Sequence, residues 1–396
     1  MIDKKGCDKE DPSYKSCMRV FSKDVAPNPS AVVAPRKHTM ANRIKQYYYL
    51  GDKLSLLRED DCLEKTKNAD GTTGYTIHNI ITLRKRIGSK SRYGQIYLTS
   101  IPSLTKVYPI ATKVMPDNMN NRYEINIMLM ITTDILLKNL SRHFLMIYGG
   151  CVCSKQIAKK LKLISINELA DGDIKMLINI PEDVGNTELM FNLFIQTFIS
   201  IATFHNLVGY VHRDTHYGNF LYQTNSEKGY YHYVFQGTSY YLKACKYNII
   251  IYDYGFARRI ETYDRNRDST YAIDSSTQDI GNSDISKCKI AIYRDYAKII
   301  NAFIKRGSKS KGWNKLPELD KNLSDKMQLF KNLLQVNIEY ELDYERKNCA
   351  SFASSMFSYI LENMFLKYAP KGMFITTRPA NVINEIPFQI DKSVPF

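Results

Sequence analysis

The feature that most constrains this chain is a polar loop that directly follows a long apolar segment. Residues 189–208, LMFNLFIQTFISIATFHNLV, are apolar on most helical faces, which is typical of a helix at the centre of a lobe. The next segment, VHRDTHYGNFLY at 211–222, places Asp214 five residues before Asn219. Asn, Gln and His interrupt the apolar run, so a buried helix explains it better than a membrane span, and we expect no span.

A second motif ends another apolar segment. In NIIIYDYGFARR, residues 248–259, the run IIIY indicates a buried strand that ends just before Asp253. Carboxylate and amide oxygens are the ligands that Mg²⁺ prefers, and a carboxylate can also take the proton of an attacking hydroxyl. Asp214, Asn219 and Asp253 are therefore candidate catalytic residues, one pair in a loop and the third at a strand end.

The segment upstream of these motifs contains a strand lysine and a stretch of small residues. VYPIATKVM, residues 107–115, places Lys113 at the end of an apolar strand, where an ammonium group can bind phosphate. Gly94 lies nineteen residues earlier, within RIGSKSRYGQIY, a segment whose small residues permit close approach of the backbone to a ligand. The candidate ligand-binding residues in this segment are Gly88, Ser89, Ser91, Gly94 and Ile96.

Taken in chain order, these motifs resemble those of the eukaryotic-type protein-kinase family over about residues 80–305. The loop at 211–222 is similar to the catalytic loop H-R-D-x-x-x-x-N, Asp253-Tyr254-Gly255 to D-F-G, and the strand around Lys113 to V-A-I-K. The H-x-D-x-H-x-G-N loop and the long Tyr-rich hairpin that follows it more closely resemble the divergent serine/threonine kinases of large DNA viruses of the pox, asfar and giant-virus kind.

The resemblance implies further roles in binding ATP. Lys113 is expected to pair with the phosphates and with an acidic side chain, for which Glu124 is our choice and Asp134 the alternative. The segment ISINELADGDIKML, residues 164–177, is expected to connect two lobes, and backbone groups near Glu168 and Ala170 are expected to bind the adenine edge. The resemblance also implies that the segment RIGSKSRYGQIY covers the nucleotide, that Asp214 is the catalytic aspartate, and that Asn219 and Asp253 are catalytic residues that bind Mg²⁺. The implied cofactors are ATP and Mg²⁺.

The order of elements predicts an α+β fold of the two-lobed protein-kinase-like kind, with a small antiparallel-sheet lobe and a larger, mainly helical lobe. We expect a weakly ordered basic arm at residues 1–45, because prolines and charges alternate there. The N-terminal lobe is expected at 46–168, including the nucleotide-covering loop. The C-terminal lobe is expected at 169–396, including the catalytic loop and an activation segment.

The sequence departs from the family pattern at several places. His216 stands where serine/threonine kinases usually carry lysine, and it either donates a hydrogen bond to the γ-phosphate or merely packs. No A-P-E motif ends the polar stretch after Gly255, a stretch that contains several Ser, Thr and Tyr residues. Asp295 is either a buried aspartate that braces the catalytic loop or a plain helix-start residue.

Three functions are compatible with these residues: a serine/threonine protein kinase, a small-molecule phosphotransferase of the same fold, and a kinase-like scaffold without catalysis. The retained Lys113, Asp214, Asn219 and Asp253 argue against a scaffold. His216 keeps the small-molecule phosphotransferase open, since aminoglycoside-kinase-like enzymes share histidine there. The long polar segment favours a protein substrate, which needs an open docking platform.

Charge and cysteine usage describe the expected partners and compartment. The formal net charge is +15, which favours anionic partners; ATP and a protein substrate are expected, and nucleic acid is possible but has no motif. The eight cysteines are scattered without a C-x-x-C pair, so we expect reduced thiols and a cytoplasmic protein, in the host cytoplasm or the virion if viral.

Overall fold

The computed structural model of the protein divides the chain into two compact units. The first contains residues 1–139 and 144–170, and the second contains 140–143 and 171–396. The residues that the structure describes are 38–54, 63–67, 73–77, 81–91, 94–100, 110–157, 160–261, 284–304, 321–340 and 348–393. The polar stretch predicted to be an activation segment lies mostly outside these residues.

The first unit is built on an antiparallel sheet. Its elements are α1 (Met40–Leu54), β1 (Leu63–Lys67), β2 (Thr73–Ile77), β3 (Ile81–Ser91), β4 (Gly94–Ser100), β5 (Ile110–Pro116), α2 (Met119–Ile131), β6 (Ile147–Ile157) and β7 (Lys160–Glu168). The described strands pair in the order β1-β2-β3-β4-β5-β7-β6, and every pair is antiparallel. A π-helical turn, Thr132–Leu136, extends α2.

Helix α2 begins at a side-chain cap and packs on the sheet. The Asn118 side chain accepts a hydrogen bond from the backbone of Asn121 at 2.9 Å, which satisfies one of the unpaired donors of the first turn. Glycine at position 150 permits the close approach, because a Cβ there would lie 2.9 Å from the Ile164 carbonyl oxygen and 3.7 Å from Ile125 Cδ1. The helix is thereby held beside β6 and β7.

Helix α1 corrects part of the expected arm. Residues 40–45 were assigned to a weakly ordered segment, yet the helix begins at Met40 and packs on β6. The side chains of Leu50 and Leu54 are fully buried, and Arg43 of the same helix is only 1% exposed. The prolines lie upstream of residue 38, so they do not interrupt this apolar face.

The second unit combines helices with small sheets. Its elements are β8 (Gly172–Asp173), α3 (Ile174–Leu177), α4 (Pro181–Val184), α5 (Thr187–Thr203), β9 (Tyr210–Val211), β10 (Phe220–Thr224), β11 (Tyr230–Phe235), β12 (Thr238–Lys243), β13 (Tyr247–Ile251), β14 (Arg258–Arg259), α6 (Asp284–Ile300), α7 (Lys321–Tyr340), α8 (Cys349–Ile360), α9 (Leu366–Tyr368), β15 (Phe374–Ile375) and β16 (Phe388–Gln389). Shorter helical turns are Phe204–Val208, Tyr217–Asn219, Asn301–Phe303 and Leu361–Phe365.

The apolar segment 187–208 forms α5 and the π-helical turn after it. Among the described residues it is the helix whose length and composition would suit a membrane span, and 89% of its apolar window is buried inside the structure. Its polar residues have partners within the unit: Gln196 donates to the Tyr247 carbonyl and accepts from the Ile249 amide, both at 3.0 Å. A buried amide is tolerated when it is hydrogen-bonded, which explains the polar positions in this helix.

The Tyr-rich segment forms the expected hairpin of β11 and β12. Gln236 and Gly237 have φ angles of 48° and 73°, as the two central residues of a type I′ turn require. The chain's last described strands extend this sheet, because β15 pairs with β12 and β16 pairs with β11. Helices and antiparallel strands in separate stretches make the fold α+β.

Two expectations about the N-terminal lobe and the cysteines need correction. Residues 140–143 were assigned to the first lobe but belong to the second unit, where the His143 ring lies 2.7 Å from the Ile249 carbonyl oxygen and 2.9 Å from the Tyr233 hydroxyl. These long-range contacts outweigh proximity in the sequence. All cysteines were expected to be reduced, but Cys153 is disulfide-bonded.

Candidate functional site

In the first unit, Lys113 and Glu124 form a buried ion pair between β5 and α2. The Lys113 ammonium lies 2.6 Å and 2.9 Å from the two Glu124 carboxylate oxygens. The side chains are only 6% and 1% exposed. The alternative acid, Asp134, lies exposed in the turn after α2, where it accepts from the Thr133 hydroxyl at 3.2 Å. Glu124 is therefore the acid that contacts Lys113.

The candidate nucleotide-covering segment forms the hairpin of β3 and β4. Ser91 pairs with Gly94, and Ile96 pairs with Lys113 across β4 and β5. Residues Gly88 and Ser89 belong to β3. A Cβ at Gly94 would lie 3.1 Å from the Val114 carbonyl oxygen and 3.6 Å from Lys113 Cε, so glycine permits β4 to approach the strand that carries the lysine.

At the end of β7, the Glu168 carboxylate is held by Arg43 of α1. Both distances between the guanidinium nitrogens and the carboxylate oxygens are 2.8 Å, and the two side chains are 1% and 2% exposed. The Glu168 backbone N–H donates to the Met146 carbonyl at 2.9 Å, which removes this donor from the groups predicted to bind adenine. Ala170, partly exposed, is the last residue of the unit.

In the second unit, Asp295 of α6 braces the loop that contains Asp214. Its buried carboxylate accepts from the backbone N–H groups of His212 and Arg213 at 2.7 Å and 2.8 Å. The His205 ring lies 2.9 Å from the same carboxylate. Of the two roles considered for Asp295, the brace is the one that the structure shows. Hydrogen bonds between charged and neutral groups of this kind are stronger than ordinary ones.

Asp214 and Asn219 contact each other across the loop. The Asn219 side-chain N–H donates to the Asp214 carbonyl at 2.8 Å and lies 3.3 Å from Asp214 Oδ2. Because the amide nitrogen is used in this way, the Asn219 amide oxygen is the atom left to bind a cation. The spacing of five residues thus closes a compact loop in which carboxylate and amide have fixed relative positions.

The segment of Asp253 is tied to the same loop. The Tyr252 backbone N–H donates to the Asn219 carbonyl at 2.9 Å, and the Tyr252 carbonyl lies 3.0 Å from His212 Nε2. Strands β10 and β13 pair directly beyond this point, with Phe220 opposite Ile251. The strand pairing therefore brings Asn219 and Asp253 to the same end of the sheet.

Two residues of this region adopt left-handed backbone conformations. Arg213 has a φ of 69° and Asp253 a φ of 67°, which is uncommon for residues other than glycine and costs of order 1–3 kcal/mol each. The Asp295 brace holds the backbone of Arg213, and the buried Tyr254 follows Asp253 in the chain. Strained backbone of this kind clusters at active sites and ligand clamps.

Tyr254 explains the tyrosine in the D-Y-G motif. Its ring is fully buried and stacks on Phe204 at a centroid distance of 5.1 Å and an interplanar angle of 18°. Its hydroxyl donates to the Ile251 carbonyl at 2.7 Å, so the additional polar atom has a partner. Tyrosine thus fills an apolar site and also fixes the chain beside Asp253.

Charges around Asp214 come from another helix as well as from the loop. Lys298 of α6 places its ammonium 2.6 Å from Asp214 Oδ1, and His216 places Nε2 at 3.5 Å from Oδ2. Burial raises the pKa of Asp214, but the hydrogen bond and charge of Lys298 outweigh this and hold the pKa below its ordinary value. Burial lowers the pKa of His216, against the attraction of Asp214, so the imidazole is mainly neutral at neutral pH.

The oxygens of Asn219 and Asp253 suit a hard cation. Two protein oxygens are a common number for Mg²⁺, which takes its other ligands from phosphates and water. The Asp214 carboxylate lies 3.5 Å from His216 Nε2, and the charge of Asp253 also acts to raise the pKa of His216. Among the described residues there is no group of three or more His, Cys, Asp or Glu side chains that could hold a metal ion.

The structure thus gathers the candidate residues within their own units. Lys113, Glu124, Gly94, Ile96, Glu168 and Ala170 belong to the first unit, and Asp214, Asn219 and Asp253 belong to the second. Sequence reasoning missed Arg43 and Lys298. Lys298 had a signal, because it lies three residues after Asp295 and hence on the same helical face. No local pattern indicated Arg43, because its partner Glu168 is 125 residues away in the sequence.

No protein-family model matches this chain, and no curated protein matches it either.

Proposed function

We propose that this protein is an ATP- and Mg²⁺-dependent phosphotransferase of protein-kinase-like fold that transfers the γ-phosphate of ATP to a serine or threonine hydroxyl of a protein. The observation that carries the proposal is the joint fixation of Asp214 and Asn219. The Asn219 amide donates to Asp214, while Asp295 holds the main chain just before them. A carboxylate and an amide oxygen on one braced loop suit phosphoryl transfer to a hydroxyl group.

Asp214 has the role of orienting the acceptor hydroxyl and receiving its proton. The hydroxyl oxygen forms a bond to the γ-phosphorus while the bond from this phosphorus to the bridging oxygen breaks. The electron pair of the broken bond leaves with ADP. The lowered pKa of Asp214 keeps the carboxylate ionised at neutral pH, as a proton acceptor must be.

Asn219 and Asp253 would hold Mg²⁺ through the amide oxygen and the carboxylate. The bound cation supplies positive charge to the phosphates of ATP. The hydrogen bond from the Tyr252 backbone N–H to the Asn219 carbonyl fixes the two ligand-bearing segments to each other.

Residues of the first unit would bind the nucleotide. Lys113 would contact the phosphates, with Glu124 fixing its ammonium through both carboxylate oxygens. Gly94, beside Lys113, permits close approach of the backbone to a ligand. The adenine edge is assigned to the main chain near Ala170, because the Glu168 N–H already has a partner.

The proposed acceptor of the phosphoryl group is a protein hydroxyl. A protein substrate with acidic character suits the net charge of +15, and the proposed compartment is the cytoplasm. His216 favours a second candidate, a small-molecule phosphotransferase, because its partly exposed ring lies 3.5 Å from the Asp214 carboxylate, where it could contact a small acceptor.

A phosphate-transfer assay tests the proposal and separates its alternatives. The purified full chain is incubated with Mg²⁺ and γ-labelled ATP, and label is measured on the chain itself, on an acidic protein, on a basic protein and on small aminoalcohols. We expect label on Ser or Thr of a protein, and its loss in Asp214→Asn, which keeps the side-chain size but removes the carboxylate.

Two other outcomes would decide against this assignment. Label on aminoalcohols alone would replace the protein acceptor by a small molecule. No transfer to any acceptor by the wild-type protein would reject the activity. Mg²⁺-dependent ATP binding that is lost in Asp253→Ala would then still distinguish a nucleotide-binding scaffold from a protein without a nucleotide site.

A further inference from the structure

The Asp214 carboxylate presents its two oxygens to different surroundings. Oδ1 accepts from the Lys298 ammonium at 2.6 Å. Oδ2 has longer contacts, at 3.3 Å to the Asn219 amide nitrogen and 3.5 Å to His216 Nε2. Oδ2 is therefore the oxygen that is more available to accept a hydrogen bond from an approaching hydroxyl. The Lys298 ammonium lies beside the other oxygen, Oδ1.

The position of Lys298 is set by the same helix that braces the loop. Asp295 and Lys298 are three residues apart on α6, so they lie on one face of the helix. Asp295 is buried and accepts from the loop backbone, while the Lys298 side chain is 45% exposed. One turn of helix thus fixes the loop and also brings a cation to its carboxylate from the solvent side.

A reaction that moves a phosphoryl group past Asp214 needs positive charge at this place. Negative charge spreads over the equatorial oxygens of the phosphoryl group in the transition state, and preorganised donors stabilise it. An ammonium has three N–H donors. Among the described residues Lys298 donates to Asp214, which leaves donors for a phosphate oxygen.

We propose that Lys298 is a catalytic residue that binds the transferred γ-phosphoryl group and, through Oδ1, orients Asp214 so that Oδ2 receives the acceptor proton. This rests on the proposed function. The acceptor oxygen bonds to the γ-phosphorus as the bond to the bridging oxygen breaks, ADP leaves with that electron pair, and the hydroxyl proton moves to Oδ2. Lys298 keeps its protons throughout and donates hydrogen bonds only.

The competing interpretation is an ordinary surface ion pair. Such pairs contribute about 0–1 kcal/mol to stability and nothing to a reaction rate. The two interpretations differ in what removing the ammonium does. A catalytic cation that acts in the transition state affects kcat, while a surface pair affects neither kcat nor KM.

The test compares Lys298→Met with Lys331→Met in the full chain. Lys331 is also on a helix of the second unit, and it donates to the neutral Asn301 side chain rather than to a carboxylate. With a protein substrate found by the transfer assay, we expect Lys298→Met to lower kcat about 10²–10³-fold, the usual loss for one transition-state donor. The KM for ATP and the affinity for Mg²⁺-ATP should remain close to wild type, and Lys331→Met should leave kcat unchanged.

Lys298→Arg provides a variant that keeps the charge. We expect it to recover much of the activity that Lys298→Met loses, because a guanidinium also donates to phosphate oxygens. Equal kcat for Lys298→Met and Lys331→Met, in a background where wild type transfers phosphate, would overturn the role of Lys298 while the proposed function stands. A wild-type chain that transfers no phosphate would instead reject the proposed function, and the role of Lys298 with it.

Discussion

Two lysine–carboxylate pairs in this protein have the same shortest distance and opposite surroundings. Lys113–Glu124 and Lys298–Asp214 both place an ammonium 2.6 Å from a carboxylate oxygen. The exposed fractions are 6% and 1% in the first pair and 45% and 26% in the second. The first pair joins a strand to a helix, and the second joins a helix to a loop.

The difference in burial predicts different losses of stability when one partner of each pair is removed. A buried ion pair loses much stability when one partner is removed, because the other charge remains without compensation in a low dielectric. An exposed pair loses little, because water replaces the missing partner. Variants of Lys298 therefore report mainly on function, whereas single variants of Lys113 or Glu124 report on folding as well.

The largest expected effect is the loss of stability in Glu124→Ala. This variant leaves the Lys113 ammonium buried without its acid, and we expect it to lower the free energy of unfolding by about 3–5 kcal/mol. Urea denaturation followed by circular dichroism measures the change. As a matched control, the double variant Lys113→Met with Glu124→Leu should regain most of the lost stability, because both charges are gone.

The double variant also tests whether Lys113 and Glu124 of the first unit bind ATP. We expect the double variant to fold and still lose ATP binding, which calorimetry measures directly. If Glu124→Ala lowers the free energy of unfolding by less than about 1 kcal/mol, the buried pair behaves as an exposed one. This result would contradict the difference proposed between the two pairs.

The second expected effect concerns the loop of the exposed pair. Asp295→Asn replaces one acceptor oxygen by an N–H₂ group that faces backbone donors of His212 and Arg213. We expect the free energy of unfolding to fall by about 1–3 kcal/mol, the cost of a buried donor left unsatisfied. Hydrogen exchange of the loop amides should accelerate, and Asp325→Asn on an exposed position of α7 provides the control.

A smaller effect is expected for Lys298→Met. Because both side chains of its pair are partly exposed, the free energy of unfolding should change by no more than about 1 kcal/mol. Thermal or urea unfolding beside Lys331→Met measures this. A loss as large as that of Glu124→Ala would mean that Lys298 is structural, and the contrast between the two pairs would fail.

The smallest effect concerns the ionisation of Asp214. Burial raises its pKa, and Lys298 first, then His216 and His212, lower it below the ordinary value of about 3.9. Lys298→Met should therefore raise the pKa of this carboxyl, which an NMR titration of ¹³C-labelled aspartate measures. An unchanged pKa would show that the ammonium does not act on Asp214 in solution.

The sign of the linked stability follows from the direction of this shift. A carboxyl whose pKa is lowered on folding contributes stability that is present above its unfolded pKa and is lost as the pH falls through the folded pKa. The stability difference between wild type and Lys298→Met should therefore narrow below about pH 4.

The sequence predicted the strand of Lys113, the apolar helix α5 and the Tyr-rich hairpin because each has a local signal. Apolar periodicity and turn residues are signals that extend over only a few positions, so they can be identified without knowing the tertiary structure. The pairing of Asp214 with Asn219 was also local, since five residues separate them. The prediction of a weakly ordered arm up to residue 45 was wrong, because α1 begins at Met40. The nearby prolines and charges indicated disorder, whereas the apolar face of α1 is buried by packing on β6.

The sequence by itself determined which residue types stand at the strand ends and in the loop at 211–222, since that is a matter of local order along the chain. Only the tertiary structure decided which charge each of them meets. Glu124 rather than Asp134 contacts Lys113, Asp295 braces the loop, and Lys298 reaches Asp214 across 84 residues. Contacts between such distant positions depend on how whole elements pack, and no periodicity along the chain encodes them.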